Sequence, residues 1–250
     1  AKKGKDIWII VHGTFAKNAR WHKAEGEFFK SLQAATKTFI YSFSWSGKLS
    51  AVERREAGIS LKNFIWNIAQ PEDQINIVAH SHGGNVSIIA ATYLSLEKSP
   101  IYIDKLILLA TPIPIKLNNP DMLRIKKIYN FFSYGDQIQP LLNRFKRVFG
   151  NHPQIFNIQL RIKNKSPLHQ DMHDPLIAHF LPHVSTLVNC HTEQSLVMHI
   201  TSKDAIHIEH DTTREQDLRT DNAFIKTVFE VFADPYRHYK VKPHNISSEN

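Results

Sequence analysis

The chain of 250 residues contains one cysteine, Cys190, so it cannot form an internal disulfide. A lone cysteine is compatible with a reducing compartment, and cytoplasmic residence is the expectation. Long apolar runs are also missing. The basic start Ala1–Asp6 leads into only five apolar residues, Ile7-Trp8-Ile9-Ile10-Val11, before His12-Gly13 ends the run. That is too short for the core of a signal peptide, and no window approaches a membrane span of about 20 residues. The first residue is Ala rather than Met, which suggests a trimmed start and keeps secretion through a lost leader open. Glycine is sparse, with nine in all and none after Gly150. No internal repeat or low-complexity segment is found.

What the chain does have is a composition suited to a folded core: 42% hydrophobic and 22% charged residues. Its length fits one large domain, or a domain with a small appendage, and needs no metal to stabilise it. The net charge of +8 favours anionic partners such as phospholipid surfaces or acidic substrates. Arg124, Lys126, Lys127, Arg144, Lys146 and Arg147 recur between apolar residues, a pattern that suits ordinary solvated faces better than a dedicated patch. No zinc-finger or RNA-recognition motif accompanies the charge, which argues against nucleic acid.

Short apolar runs alternate with amphipathic stretches over the first two thirds. Strands are predicted at Ile7–Val11, Phe39–Trp45, Ile75–Ala79, Lys105–Ala110, Ile128–Tyr134 and Ile155–Arg161. Helices are predicted at Arg20–Leu32, Ala51–Ile68 and Gly84–Glu97. Such alternation predicts a mostly parallel α/β sheet covered on both faces. Only Thr111–Lys127 separates two of the strands, which leaves little room for a large lid. The last third is rich in His, broken by Pro167, Pro175 and Pro182, and ends in a predicted helix capped by Asp221, with Ile225, Val228, Phe229 and Phe232 inward. Residues 1–190 are read as the main domain and 191–250 as an extension packed on it.

The most specific motif is Ala79-His80-Ser81-His82-Gly83-Gly84, between a strand and a helix rich in small residues. A serine in a tight strand-to-helix turn is lifted above the sheet edge, and small residues on either side let strand and helix approach closely. Ser81 is therefore the candidate nucleophile; the plainer alternative is a serine that only caps the helix. A second signal, Val11-His12-Gly13-Thr14, ends the first strand. A His-Gly turn there can point backbone N–H groups at a developing oxyanion, and the amides of Thr14 and His82 are assigned to that task. His12 is read as support for the turn, and His80 and His82 as structural flanks.

These segments, with Ser44-Trp45-Ser46-Gly47 and Leu108-Leu109-Ala110-Thr111-Pro112, resemble the lipase/esterase group of α/β-hydrolases over roughly residues 7 to 183. The resemblance implies an α/β-hydrolase fold in a minimal version lacking the first hairpin. It also implies an order of Ser, then acid, then His along the chain. Asp136, where a strand runs into Gly135-Asp136-Gln137, matches the acid. The base is sought after the last predicted strand, with His169 first, His173 as runner-up and His183 third. The stretch from His169 resembles the family's His-Ser-x-x-His, with Gln170 departing from the serine.

The reaction implied is hydrolysis of carboxylic esters, lipid or phospholipid acyl esters among them, through an acyl-enzyme and without a cofactor. Phe15, Ile113 and Ile115 beside the site suit an acyl chain as well as they suit loop packing. The pairs His169/His173 and His179/His183 have the i, i+4 spacing of metal ligands. Pro167 and Pro175 interrupt the first, and no H-E-x-x-H is present, so no metal is expected. An acyltransferase or thioesterase would use the same residues. A hydrolase-fold binding module would be expected to lack at least one of them.

Overall fold

A computed structural model describes residues 4–114, 119–138, 145–189, 191, 194–203 and 205–211. Its centre is a sheet of eight strands: β1 Asp6–Val11, β2 Ile40–Phe43, β3 Gln74–His80, β4 Ile103–Leu109, β6 Ile125–Phe132, β8 Ile155–Ile162, β9 Ser195–Ser202 and β10 Ala205–His210. Two short strands, β5 Ile113–Pro114 and β7 Phe145–Lys146, form a separate antiparallel pair. The sheet order is β10-β9-β8-β6-β4-β3-β1-β2, and every neighbouring pair is parallel except β9 with β10.

The continuous apolar runs follow from burial on both faces. Successive side chains of a strand point to opposite sides, so Ile7, Ile9 and Val11 join one core while Trp8 and Ile10 join the other. Helices α2 (Ala51–Ile68) and α3 (His82–Leu96) cover the first core through Leu61, Ile65, Val86 and Leu94. On the second face, α1 (Glu27–Thr36), α4 (Pro175–Phe180) and α5 (Val184–Val188) bring Phe28, Leu32, Ile177 and Val184 against the sheet. Each fully buried side chain of this size contributes about 1.5–3 kcal/mol.

Local signals explain the helix ends. Ser50 accepts a hydrogen bond from the Glu53 amide and starts α2, whose span Ala51–Ile68 is the one predicted. Asp174 does the same for α4, with Pro175 in the first turn. Helix α1 differs from expectation, since it begins at Glu27 rather than at Arg20. Residues 12–26 form a chain of turns, and Gly26 lies so close to the Arg20 carbonyl that a Cβ there would sit 2.1 Å from its oxygen. Trp21, half-buried, still packs edge-on to Phe28 at 5.4 Å and against the second core, although no helix carries it. Phe39 lies before β2 and is 66% exposed, whereas Phe43 and Trp45 are buried.

Strands β9 and β10 extend the sheet from a region where no strand was predicted. The helix expected after Asp221, Cys190, Arg144, Ile115 and residues 116–118 of the expected short connection lie outside the described residues. Among the described residues no helix is long and apolar enough to cross a membrane.

Candidate active site

The strands β1, β3, β4, β6 and β8 run parallel, so the loops at their carboxyl ends gather along one edge of the sheet. Ser81 stands there between β3 and α3 with φ 53° and ψ −134°. Such backbone costs a non-glycine residue about 1–3 kcal/mol and is kept only when its surroundings enforce it. Two hydrogen bonds contribute, from the Ser81 amide to the Leu109 carbonyl at 2.8 Å and from the Gly84 amide to the Ser81 carbonyl at 3.0 Å. The Ser81 hydroxyl makes no capping bond to α3, so the capping alternative does not describe this serine.

Glycines let the turn close. A Cβ on Gly83 would lie 2.5 Å from the Val11 oxygen and 2.6 Å from the His12 oxygen, and one on Gly84 would meet Thr111 Oγ1 at 2.1 Å. Gly13 brings the loop after β1 against the serine: its Cβ would be 2.7 Å from Ser81 Cβ and 3.4 Å from Oγ. The next residue, Thr14, thus sits beside Ser81, and its Oγ1 is buried without a hydrogen-bond partner among the described residues.

The His12 ring locks this loop. Its Nδ1 lies 2.8 Å from the Gly13 carbonyl, which can only accept, so Nδ1 carries the proton and Nε2 accepts from the Trp45 amide at 3.1 Å. The Trp45 indole in turn donates to the His12 carbonyl at 2.7 Å. Burial lowers the His12 pKa to about 4 and keeps the ring neutral. His82, also lowered to about 4 mainly by burial, donates from Nδ1 to Asn85 Oδ1 at 2.8 Å. Asn85 passes the link on to the Pro112 carbonyl at 3.1 Å. The His12 ring thus holds backbone directly, whereas His82 is linked to it through the Asn85 side chain.

Asp136 and His169, 33 residues apart, meet through a 2.8 Å contact between His169 Nδ1 and Asp136 Oδ2. The carboxylate is fully buried, and its Oδ1 accepts the Ile138 amide at 2.9 Å. A Cβ on Gly135 would lie 2.4 Å from the Ser166 oxygen, so this glycine lets the acid turn press against the loop that carries His169. Arg147 donates to the Asp136 carbonyl at 3.0 Å. Its own carbonyl accepts from Asn130 Nδ2 at 2.8 Å, and Asn130 bonds Asn157 at 3.0 Å across β6 and β8. Asp136 is therefore tied to the centre of the sheet through the partly buried Arg147 and the buried Asn130 and Asn157.

Among the described residues the other predicted histidines do not make this contact with Asp136. The runner-up, His173, stacks on Trp21 with ring centroids 4.8 Å apart, and burial lowers its pKa. His183 is exposed in the 3-10 turn Leu181–His183. Among the described residues no three His, Cys, Asp or Glu side chains cluster so as to hold a metal. Ile113 is 1% exposed and packs in the core, so it does not face a substrate, whereas Phe15 is 84% exposed. Sequence reading missed Arg147, Asn130 and Asn157 as supports of Asp136. The only signal was polar Asn130 and Asn157 within strands expected to be buried.

No family model and no curated protein matches this sequence. Solved structures do match over part of it. Lipase B of Aspergillus fumigatus is 14% identical over 64% of this chain, with a TM-score of 0.35, and the chain spans only 38% of that lipase. A candidate cell surface hydrolase of Lactobacillus plantarum is 10% identical over 82% of this chain and 85% of its own, with a TM-score of 0.38. Likenesses so slight carry no weight beside the molecule's own geometry. With β3 feeding α3 through a strained serine turn, inside a mostly parallel sheet covered on both faces, the chain has an α/β-hydrolase fold.

Proposed function

We propose that this chain is a serine hydrolase of carboxylic esters, with Ser81 as nucleophile, His169 as base and Asp136 as the acid that orients it. The observation that carries the reading is the strained Ser81 turn, whose hydroxyl serves no capping role. The Asp136–His169 contact supports it, because an acid on Nδ1 leaves Nε2 free of the proton and able to take one from Ser81. The amides of Thr14 and His82 would receive the oxyanion. Attack forms the Ser81–acyl bond and releases the alcohol with the proton that His169 took; water then cleaves the acyl-enzyme.

Substrate class is suggested by what surrounds the site. Phe15, Ile138 and Leu168 are 84%, 52% and 54% exposed, and each lies within two residues of Gly13, Asp136 or His169. Apolar side chains there, on a molecule of charge +8, suit acyl esters presented at an anionic lipid surface. Association with anionic vesicles should weaken as salt rises.

Labelling by a fluorophosphonate probe, together with hydrolysis of a short p-nitrophenyl ester, tests the assignment. Ser81→Ala and His169→Ala are expected to lower turnover by about 10⁴-fold or more, while His173→Ala retains labelling. Undiminished labelling of folded Ser81→Ala would overturn the nucleophile; loss with His173→Ala and not His169→Ala would move the base.

A further inference from the structure

His80 adjoins Ser81 in sequence, yet the reaction just described gives it no part. Its ring is buried, and Nε2 lies 3.0 Å from the main-chain carbonyl oxygen of His169. A carbonyl can only accept, so Nε2 carries the proton and Nδ1 is the bare nitrogen. That Nδ1 is itself buried and has no hydrogen-bond partner among the described residues. The ring is boxed in by aromatic neighbours, with centroids 4.7 Å from His169, 5.2 Å from His173 and 5.6 Å from Trp21. Trp21 and His173, two of these neighbours, lie flat on one another with an interplanar angle of 2°.

Asp136 grips His169 by one ring nitrogen only. The backbone that carries this ring opens a five-residue 3-10 turn after Leu168, which is 54% exposed. A ring held at one point on such a turn can tilt. The base must stay aligned with Ser81 through both proton transfers, and a misplacement of about an ångström can cost on the order of 100-fold in rate.

We propose that His80 is a positioning residue for His169, its Nε2–H···O=C bond fixing the backbone of the base while Asp136 fixes the ring. The inference rests on the reading of His169 as base. His80 is suited to the task because it stays neutral: burial, then the neighbouring His169 and His173, push its pKa well below that of a free histidine. A charged ring in this place would repel the imidazolium that forms on His169 during turnover.

The test uses the full chain with His80→Leu and His80→Gln, assayed on p-nitrophenyl acetate, and nitrogen-15 NMR of the histidine rings. Leucine removes the donor, whereas the glutamine amide nitrogen can occupy the place of Nε2. His80→Leu is expected to lower kcat by about 10- to 100-fold with little change in KM, and His80→Gln to recover most of it. In the wild-type spectrum His80 should carry its proton on Nε2, and the His169 ring signals should shift in His80→Leu. Wild-type kcat in His80→Leu, an equal loss in both variants, or a proton on His80 Nδ1 would overturn the proposal. Should His80→Leu fail to fold, the wild-type tautomer and the glutamine variant still decide. If wild type neither hydrolyses the ester nor labels, the base reading fails; movement of the His169 signals in His80→Leu then separately reports whether His80 holds that segment.

Discussion

Around Ser81 the chain is drawn together by side chains that are missing, whereas around Asp136 and His169 it is held by buried side chains that are polar. Gly13, Gly83 and Gly84 let the loop after β1, the serine turn and α3 come within contact of one another's backbone. On the other side, Gly135 permits one close approach, but Arg147, Asn130 and Asn157 do most of the fixing through hydrogen bonds. The contrast has a physical basis. A residue on a strand-to-helix turn inherits its place from two regular elements, which need only be allowed to touch. Side chains on loops, such as Asp136 and His169, inherit no such geometry, so specific polar contacts must supply it.

The sharpest way to break this comparison lies on the polar side. Asp136→Asn keeps the size of the side chain and an acceptor for the Ile138 amide, but offers His169 an amide in place of a carboxylate. His169 would then hold its proton on Nε2 and could no longer accept from Ser81. Turnover should fall by about 10⁴-fold with the fold intact, as steady-state kinetics and circular dichroism would show. A variant that unfolds would mean that Asp136 is chiefly a structural anchor.

On the glycine side the expected loss is of stability. Gly83→Ala sets a methyl group 2.5 Å and 2.6 Å from two carbonyl oxygens of backbone, which cannot step aside as a flexible side chain would. Destabilisation of about 3 kcal/mol is expected, measured by urea unfolding. A change within error would show that the serine turn has slack and that its glycines are not what brings it together.

Acid gives the mildest test near neutrality. His12 and His82 titrate at about 4 in the folded chain and near 6.5 when unfolded. As pH falls below 6.5 the unfolded chain takes up protons that the folded one refuses, so stability declines from there to about pH 4 and then levels for these two groups. His22, His80 and His173 are also lowered by burial and add to the decline. Melting curves at pH 7, 5.5 and 4.5 should show falling Tm, and His12→Asn, which lacks one titration, a shallower fall. A flat profile would mean that these rings reach solvent and do not lock the serine side.

Sequence alone determined the parts of this protein that depend on near neighbours. The parallel α/β sheet was legible because double-faced burial leaves continuous β-branched runs such as Ile7–Val11, and α2 because its amphipathic pattern over Ala51–Ile68 is local. The serine turn was legible because its strand, small residues and helix are contiguous. Tertiary structure alone decided what depends on distant segments: that His169 rather than His173 meets Asp136, and that His80 reaches a carbonyl 89 residues away. It also decided that Arg20–Gly26 is a chain of turns rather than a helix and that β9 and β10 extend the sheet. Local pattern records which residues want burial or a cap, but not which distant side chain arrives to meet them, because the packing that brings them together has no period in the sequence.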